Sequence, residues 1–146
     1  MKDVNPKWVG IVKALLPHGY ELKLRNLKGA TGAYAMHVKH IIAPPILDRH
    51  DLFVYLHEVG HIRNMHLHRA VEKVLPAWQV EYEADQYAIE VMRMYRIPIE
   101  RATMTWHKSL VRTAIEREKE HDDIPEKVWR YAYGSHWRLA RRTLLG

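Results

Sequence analysis

The sequence predicts a single α+β domain in which a small sheet comes first and helices make up the rest. Two short stretches before residue 43 alternate apolar and polar residues, the period of a half-buried strand. From Asp48 onward the apolar residues recur every three to four positions, the period of a helix. The length of 146 residues suits one core, and no repeat, low-complexity tract or long linker divides it.

The first helix is expected from about Asn5 to Leu16. Asn5 is a good N-cap, Pro6 suits the first helical position, and Trp8, Val9, Val12, Leu15 and Leu16 form an apolar stripe. Pro17-His18-Gly19 stops it. Tyr20, Leu22 and Leu24 alternate with Glu21, Lys23 and Arg25 as a first strand, and 26–32, with Gly29 and Gly32, reads as a loop. A second strand is expected from about Ala33 to Ile42, with Tyr34, Met36 and Val38 on one face, ended by Pro44-Pro45.

A helix follows from Asp48 to about Leu67. Leu52, Phe53, Val54, Tyr55 and Leu56 make it apolar nearly all round, so it is expected to be buried. Gly60 weakens it by about 1 kcal/mol relative to Ala, a cost that fits a second element approaching closely there. The next helix runs from Pro76 to about Tyr95. Another spans about Pro98 to Glu120, with Ile99, Ala102, Trp106 and Leu110 as its stripe, and two shorter ones cover Pro125 to Tyr133 and Ser135 to Leu145.

The buried helix carries His57-Glu58-Val59-Gly60-His61, an H-E-x-x-H pattern. On a helix, four residues advance about 6 Å and about 400°, so both imidazoles leave one face and can reach one ion. Glu58 beside them has the chemistry of a general base for a water held by that ion. With eleven histidines in the chain, the pattern arises by chance about one time in twenty, so a second signal is required.

Glu81-Tyr82-Glu83-Ala84-Asp85 supplies that signal. A catalytic zinc takes three protein ligands and keeps one open position; Glu81 fits the third place. Asp85, one turn on, can accept the free ring N–H of a ligating histidine and fix its orientation. Ala77, Ala84 and Ala88 surround Glu81 on the helical surface, whereas Gln79, Gln86 and Glu90 surround Glu83; Glu81 is therefore expected on the packed side and Glu83 on the solvated side.

His57-Glu58-x-x-His61 followed by Glu81-x-x-Ala84-Asp85 resembles the gluzincin clan of zinc metallopeptidases, and is most similar to the ImmA/IrrE-type metallo-endopeptidases. The resemblance spans about Leu47 to Tyr95. It implies a compact zincin-like domain: a small sheet, a buried active-site helix, a glutamate helix and a helical C-terminal part. It further implies His57, His61 and Glu81 as ligands of Zn²⁺, Glu58 as general base, Asp85 behind the ligands, and peptide-bond hydrolysis, often of a regulatory protein. A strand above the metal that binds extended substrate is also implied, and 33–38 is the segment placed for it.

The metzincin pattern would require Gly at position 64 and His at 67, where this chain has Asn64 and Leu67. His66 and His68 remain competitors of Glu81 for the third place, the latter only if the helix ends early. For the donor that stabilises the developing oxyanion, His107 is the candidate, with His136 and Tyr131 behind it. His18, His37, His40, His50 and His121 read as structural.

The chain lacks cysteine, which excludes disulfides and thiolate metal sites and leaves histidine and carboxylate as strong ligands. No run of about eighteen apolar residues appears, and no apolar segment follows Met1-Lys2-Asp3, so a cytoplasmic protein with no membrane partner is expected. Net charge is +6. Lys127, Arg130, Arg138, Arg141 and Arg142 against Glu126 place +4 of it in 125–146, interleaved with Trp129, Tyr131, Tyr133 and Trp137. That surface could meet nucleic acid or an acidic partner, a different class of function from hydrolysis of a protein or peptide substrate. A metal-binding regulatory module without proteolysis is the third class.

Overall fold

A computed structural model describes residues 1–26, 34–36, 39–67 and 75–146 of the chain. The architecture is α+β: a three-stranded sheet packed on a helical body. Asn5 caps the chain's entry into a 3₁₀ turn, Pro6–Trp8, by accepting from the Lys7 N–H at 3.0 Å, and the turn runs into helix α1, Val9–Leu15.

The strands are β1 (Glu21–Leu24), β2 (Tyr34–Met36) and β3 (His40–Ala43), in the order β1-β3-β2. β3 pairs parallel with β1 and antiparallel with β2. The single strand expected over Ala33 to Ile42 is thus two strands, and Lys39 at φ 61° lies in the reversal between them. Left-handed backbone is rare for a residue with a Cβ, so the alternation carried no mark of the turn. β2 lies at an edge of the sheet among the described strands. Val38, expected on the same face as Tyr34 and Met36, lies outside the described residues, as do His37, His68 and 27–32 of the expected loop.

Helix α2, Arg49–Arg63, begins at a reciprocal cap: Asp48 accepts from the Asp51 N–H at 2.8 Å, and Asp51 accepts from the Asp48 N–H at 3.2 Å. Every residue from Leu52 to His61 is buried. The helix ends four residues before the expected Leu67. Met65 takes the left-handed conformation (φ 59°), its N–H reaches Ile62 O, and the His66 N–H reaches back to His61 O at 2.9 Å. Helix α3, Ala77–Met94, closes the same way, with Arg96 at φ 57° and the Ile97 N–H on Met92 O. Helices α4 (Arg101–Arg117), α5 (Glu126–Tyr133) and α6 (Trp137–Leu145) complete the chain.

Two apolar clusters form the core. The first joins Trp8 and Val12, Ile41 of β3, Leu52, Phe53, Leu56 and Val59 of α2, and Ala88, Val91 and Met92 of α3. The second joins Trp78 of α3 to Val111 and Ile115 of α4 and to Val128, Trp129 and Ala132 of α5. α3 belongs to both, its first turn to one and its second half to the other. Glu81 and Asp85 lie on the stretch between. Each large apolar side chain buried in these clusters contributes about 1.5–3 kcal/mol, enough to hold polar groups at the junction.

α2 and α3 meet closely because of Gly60. A Cβ there would stand 2.9 Å from Ala84 O and 3.1 Å from Tyr87 Cβ, too near for any side chain. The close approach expected from a glycine inside a helix is therefore that of α3. On α4 the expected stripe is displaced. Ala102 and Leu110 are exposed and the buried face is Thr103, His107, Val111 and Ile115, half of it polar. Among the described residues, no helix is long and apolar enough to cross a membrane. The interleaved aromatics of the C-terminal part divide: Trp129 is fully buried, while the Arg130 and Arg138 guanidinium groups lie over the exposed end's Trp137 ring, 5.2 and 5.1 Å from its centre.

Candidate metal centre

The helical spacing of α2 and α3 brings three ligand atoms to one point. His57 Nε2 lies 3.0 Å from His61 Nε2 and 3.1 Å from Glu81 Oε2, and His61 Nε2 lies 3.7 Å from Glu81 Oε1. Two ring nitrogens and a carboxylate around one ion at zinc-ligand bond lengths, in tetrahedral arrangement, stand about 3.3 Å apart. The observed separations bracket that value. Glu58, buried next to His57 on α2, and the two histidines are all less than a tenth exposed. His57, His61 and Glu81 can hold a metal ion.

Behind His57 stands Asp85, 1% exposed. Its Oδ1 accepts from His57 Nδ1 at 2.7 Å and from His107 Nδ1 at 3.0 Å, and its Oδ2 accepts from the Tyr131 hydroxyl at 2.7 Å. One carboxylate therefore gathers donors from α2, α4 and α5 onto α3. Burial alone would keep this acid neutral; the hydrogen bonds and charges of His107 and His57 outweigh it and hold the carboxyl at about 2. Burial and Asp85 together push the Tyr131 phenol well above its usual range.

The two histidines on α2 diverge. Burial opposes a charge on His57, but hydrogen bonds to Asp85 and Glu81 prevail and raise it to about 10. His61, equally buried but facing His57 and lacking a carboxylate at its own Nδ1, falls to about 3. Burial raises Glu81, but the His57 hydrogen bond and the charges of His57 and His61 together outweigh it and hold the carboxyl below its usual value. The cluster's own charges thus concentrate one proton on His57, opposite Glu81, at the point where a cation would sit.

No family model, curated protein or solved structure matches this chain. The site stands on its own side chains. It brings together His57, His61, Glu81 and Asp85, the residues that the sequence patterns selected, with Glu58 on the same buried turn. It gives His107 a different post from the one expected. Its Nδ1 is engaged by Asp85, its ring packs edge-on against Phe53 with centres 4.6 Å apart, and it is 3% exposed. A ring enclosed in this way presents no donor to a substrate carbonyl. His107 instead steadies Asp85, and the buried Nε2 on its other side has no hydrogen-bond partner among the described residues. Tyr131 likewise serves Asp85, and His136 is exposed in the 3₁₀ turn Gly134–His136.

Glu83 is the other correction. Its side chain is 29% exposed and that of Glu81 is 31%, so burial does not separate them. Direction does: Glu81 faces His57 and His61, whereas Glu83 accepts from Gln79 at 2.7 Å and lies 3.2 Å from His66 Nε2. His66 reaches Nδ1 of His61, not the Nε2 that faces the cluster. Among the structural histidines, His50 meets Thr103 Oγ1 at 2.8 Å and His121 Nε2 donates to Ile115 O at 2.8 Å.

An open groove of about 410 Å³ lies between the start of α3 and the second half of α4. Glu81 lines it, with Ala77, Leu110, Thr113, Ala114 and Arg117. The cluster therefore borders on open space, next to a largely apolar wall.

Proposed function

We propose that this chain is a zinc-dependent metallo-endopeptidase of zincin-like fold, with His57, His61 and Glu81 as the metal ligands and Glu58 as the general base. The observation that carries the reading is the convergence of His57 Nε2, His61 Nε2 and Glu81 on one point, with Asp85 holding the far nitrogen of His57. Two histidines and one carboxylate are a donor set of catalytic zinc, and a fourth position remains for water. When bound, zinc supplies a water that ionises near neutral pH and an electrophile for a peptide carbonyl.

The protein's own groups do the rest. Glu58 takes the proton of the attacking water and returns it to the leaving amine. Asp85 keeps His57 in the tautomer that leaves Nε2 free for the ion. The groove beside Glu81 receives substrate side chains against Leu110 and Ala114, and β2, at the sheet edge near α2, offers backbone groups to an extended peptide. Regulatory proteins that expose an extended segment are the substrate class this arrangement suits.

Incubation of zinc-loaded protein with a mixed peptide library, read by mass spectrometry, tests the proposal. Wild type cuts. Glu58→Gln keeps its zinc and cuts at least about a hundredfold more slowly, the usual scale of a lost general base. Equal cleavage by the two proteins rules out Glu58 as the base, and no cleavage by wild type rules out the peptidase.

A further inference from the structure

The metal reading leaves the buried imidazole of His66 unused. His66 lies beyond the end of α2, its side chain 1% exposed, with Nδ1 3.0 Å from His61 Nδ1 and Nε2 3.2 Å from Glu83 Oε2. Its place follows from the helix stop. Met65 in the left-handed conformation turns the chain so that the His66 N–H bonds His61 O, which sets the two side chains against each other with ring centres 5.2 Å apart. At this point of such a helix end an apolar pair is usual. Here two imidazoles meet.

Proton positions along this chain of groups follow from what each atom can do. Glu83, whose other oxygen accepts from Gln79, is an acceptor, so His66 Nε2 carries the hydrogen between them. A neutral His66 then has a lone pair at Nδ1 and must accept. The donor is His61 Nδ1–H, which leaves the His61 lone pair at Nε2, the atom facing His57 Nε2 and Glu81. The reverse polarity would put the His61 proton on Nε2 and block the ligand position.

We propose that His66, backed by Glu83, is a positioning residue that fixes the tautomer and ring angle of His61, as Asp85 does for His57. This role rests on the reading that His57, His61 and Glu81 hold a metal. The two supports differ in kind: His57 gives its hydrogen directly to a carboxylate, whereas His61 gives it to an imidazole that gives its own to a carboxylate.

Zinc affinity by competition with a chromophoric chelator, together with long-range ¹H–¹⁵N correlation of the zinc-loaded wild type, tests the assignment. The spectrum shows His61 protonated at Nδ1 and His66 at Nε2. His66→Ala binds zinc about 10–100-fold more weakly. His66→Asn, whose Oδ1 stands in for Nδ1 as the acceptor, recovers most of that loss, which a purely space-filling role would not give. An unweakened His66→Ala, or a proton on His66 Nδ1, overturns the role of His66 while leaving the metal centre standing, provided that Glu81→Ala loses zinc. A wild type that takes up no zinc overturns both. The spectrum of the wild type decides the matter even where His66→Ala does not fold.

Discussion

His57 and His61 leave one helix a turn apart, yet their surroundings are built by different means. His57 is held from a distance: Asp85 on α3 meets it, and His107 on α4 and Tyr131 on α5 meet Asp85. His61 is held locally, by a residue five positions later and a carboxylate two residues along α3 from Glu81. The first arrangement ties four helices together and so belongs to the fold as much as to the site. The second touches little beyond the metal position. Stability should therefore depend on the His57 side, and metal affinity on both.

Asp85→Ala should show the largest effect. It leaves the donors of His57, His107 and Tyr131 buried without their acceptor, and urea unfolding of metal-free protein is expected to show a loss of about 3–5 kcal/mol. A loss no larger than that of a surface substitution would break the contrast. Tyr131→Phe removes a single hydrogen bond to the same carboxylate and should cost about 1.5 kcal/mol by the same assay, with zinc still bound. If it abolishes zinc binding, the phenol acts on the metal position and not only on the fold.

A further effect is one of pH, spread over several pH units, and its sign differs for the two histidines. His57 is raised to about 10, so its contribution is complete below about 6.5, the unfolded value, and is lost as pH rises through about 10. His61 is lowered to about 3, so the unfolded chain binds more protons below about 6.5 and stability falls as pH drops toward 3. Stability of metal-free protein, again by urea unfolding, should then peak near pH 6.5, with each of the two histidines contributing a slope of at most about 1.4 kcal/mol per pH unit on its own side. Saturating zinc should abolish the decline above the peak, because the ion takes the place of the proton on His57. A decline that zinc leaves unchanged would assign the raised group elsewhere.

The same contrast explains how much the sequence disclosed. His57 with His61, and Glu81 with Asp85, are pairs at one helical turn, and their spacing alone puts each pair on one face. The α+β division followed from periodicity in the same way. What stayed hidden depends on long-range packing or on rare backbone. Nothing in the sequence marks Met65 or Lys39 as left-handed, so periodicity alone predicts that α2 continues through His66 and that β2 and β3 are a single strand. On α4, apolar residues predicted a stripe through Ala102 and Leu110, but the buried face turns Thr103 and His107 inward because it abuts Asp85 and His50. A polar residue on a buried face reads as solvent-facing until its partner, 22 residues away in the chain for His107 and Asp85, is known.

The metal content of the purified protein tests the central claim most directly. After exposure to zinc and removal of excess, elemental analysis should find about one ion per chain in wild type and close to none in Glu81→Ala. A wild type without bound metal, or a Glu81→Ala variant that retains the ion as firmly as wild type, would contradict the metal centre described by His57, His61 and Glu81.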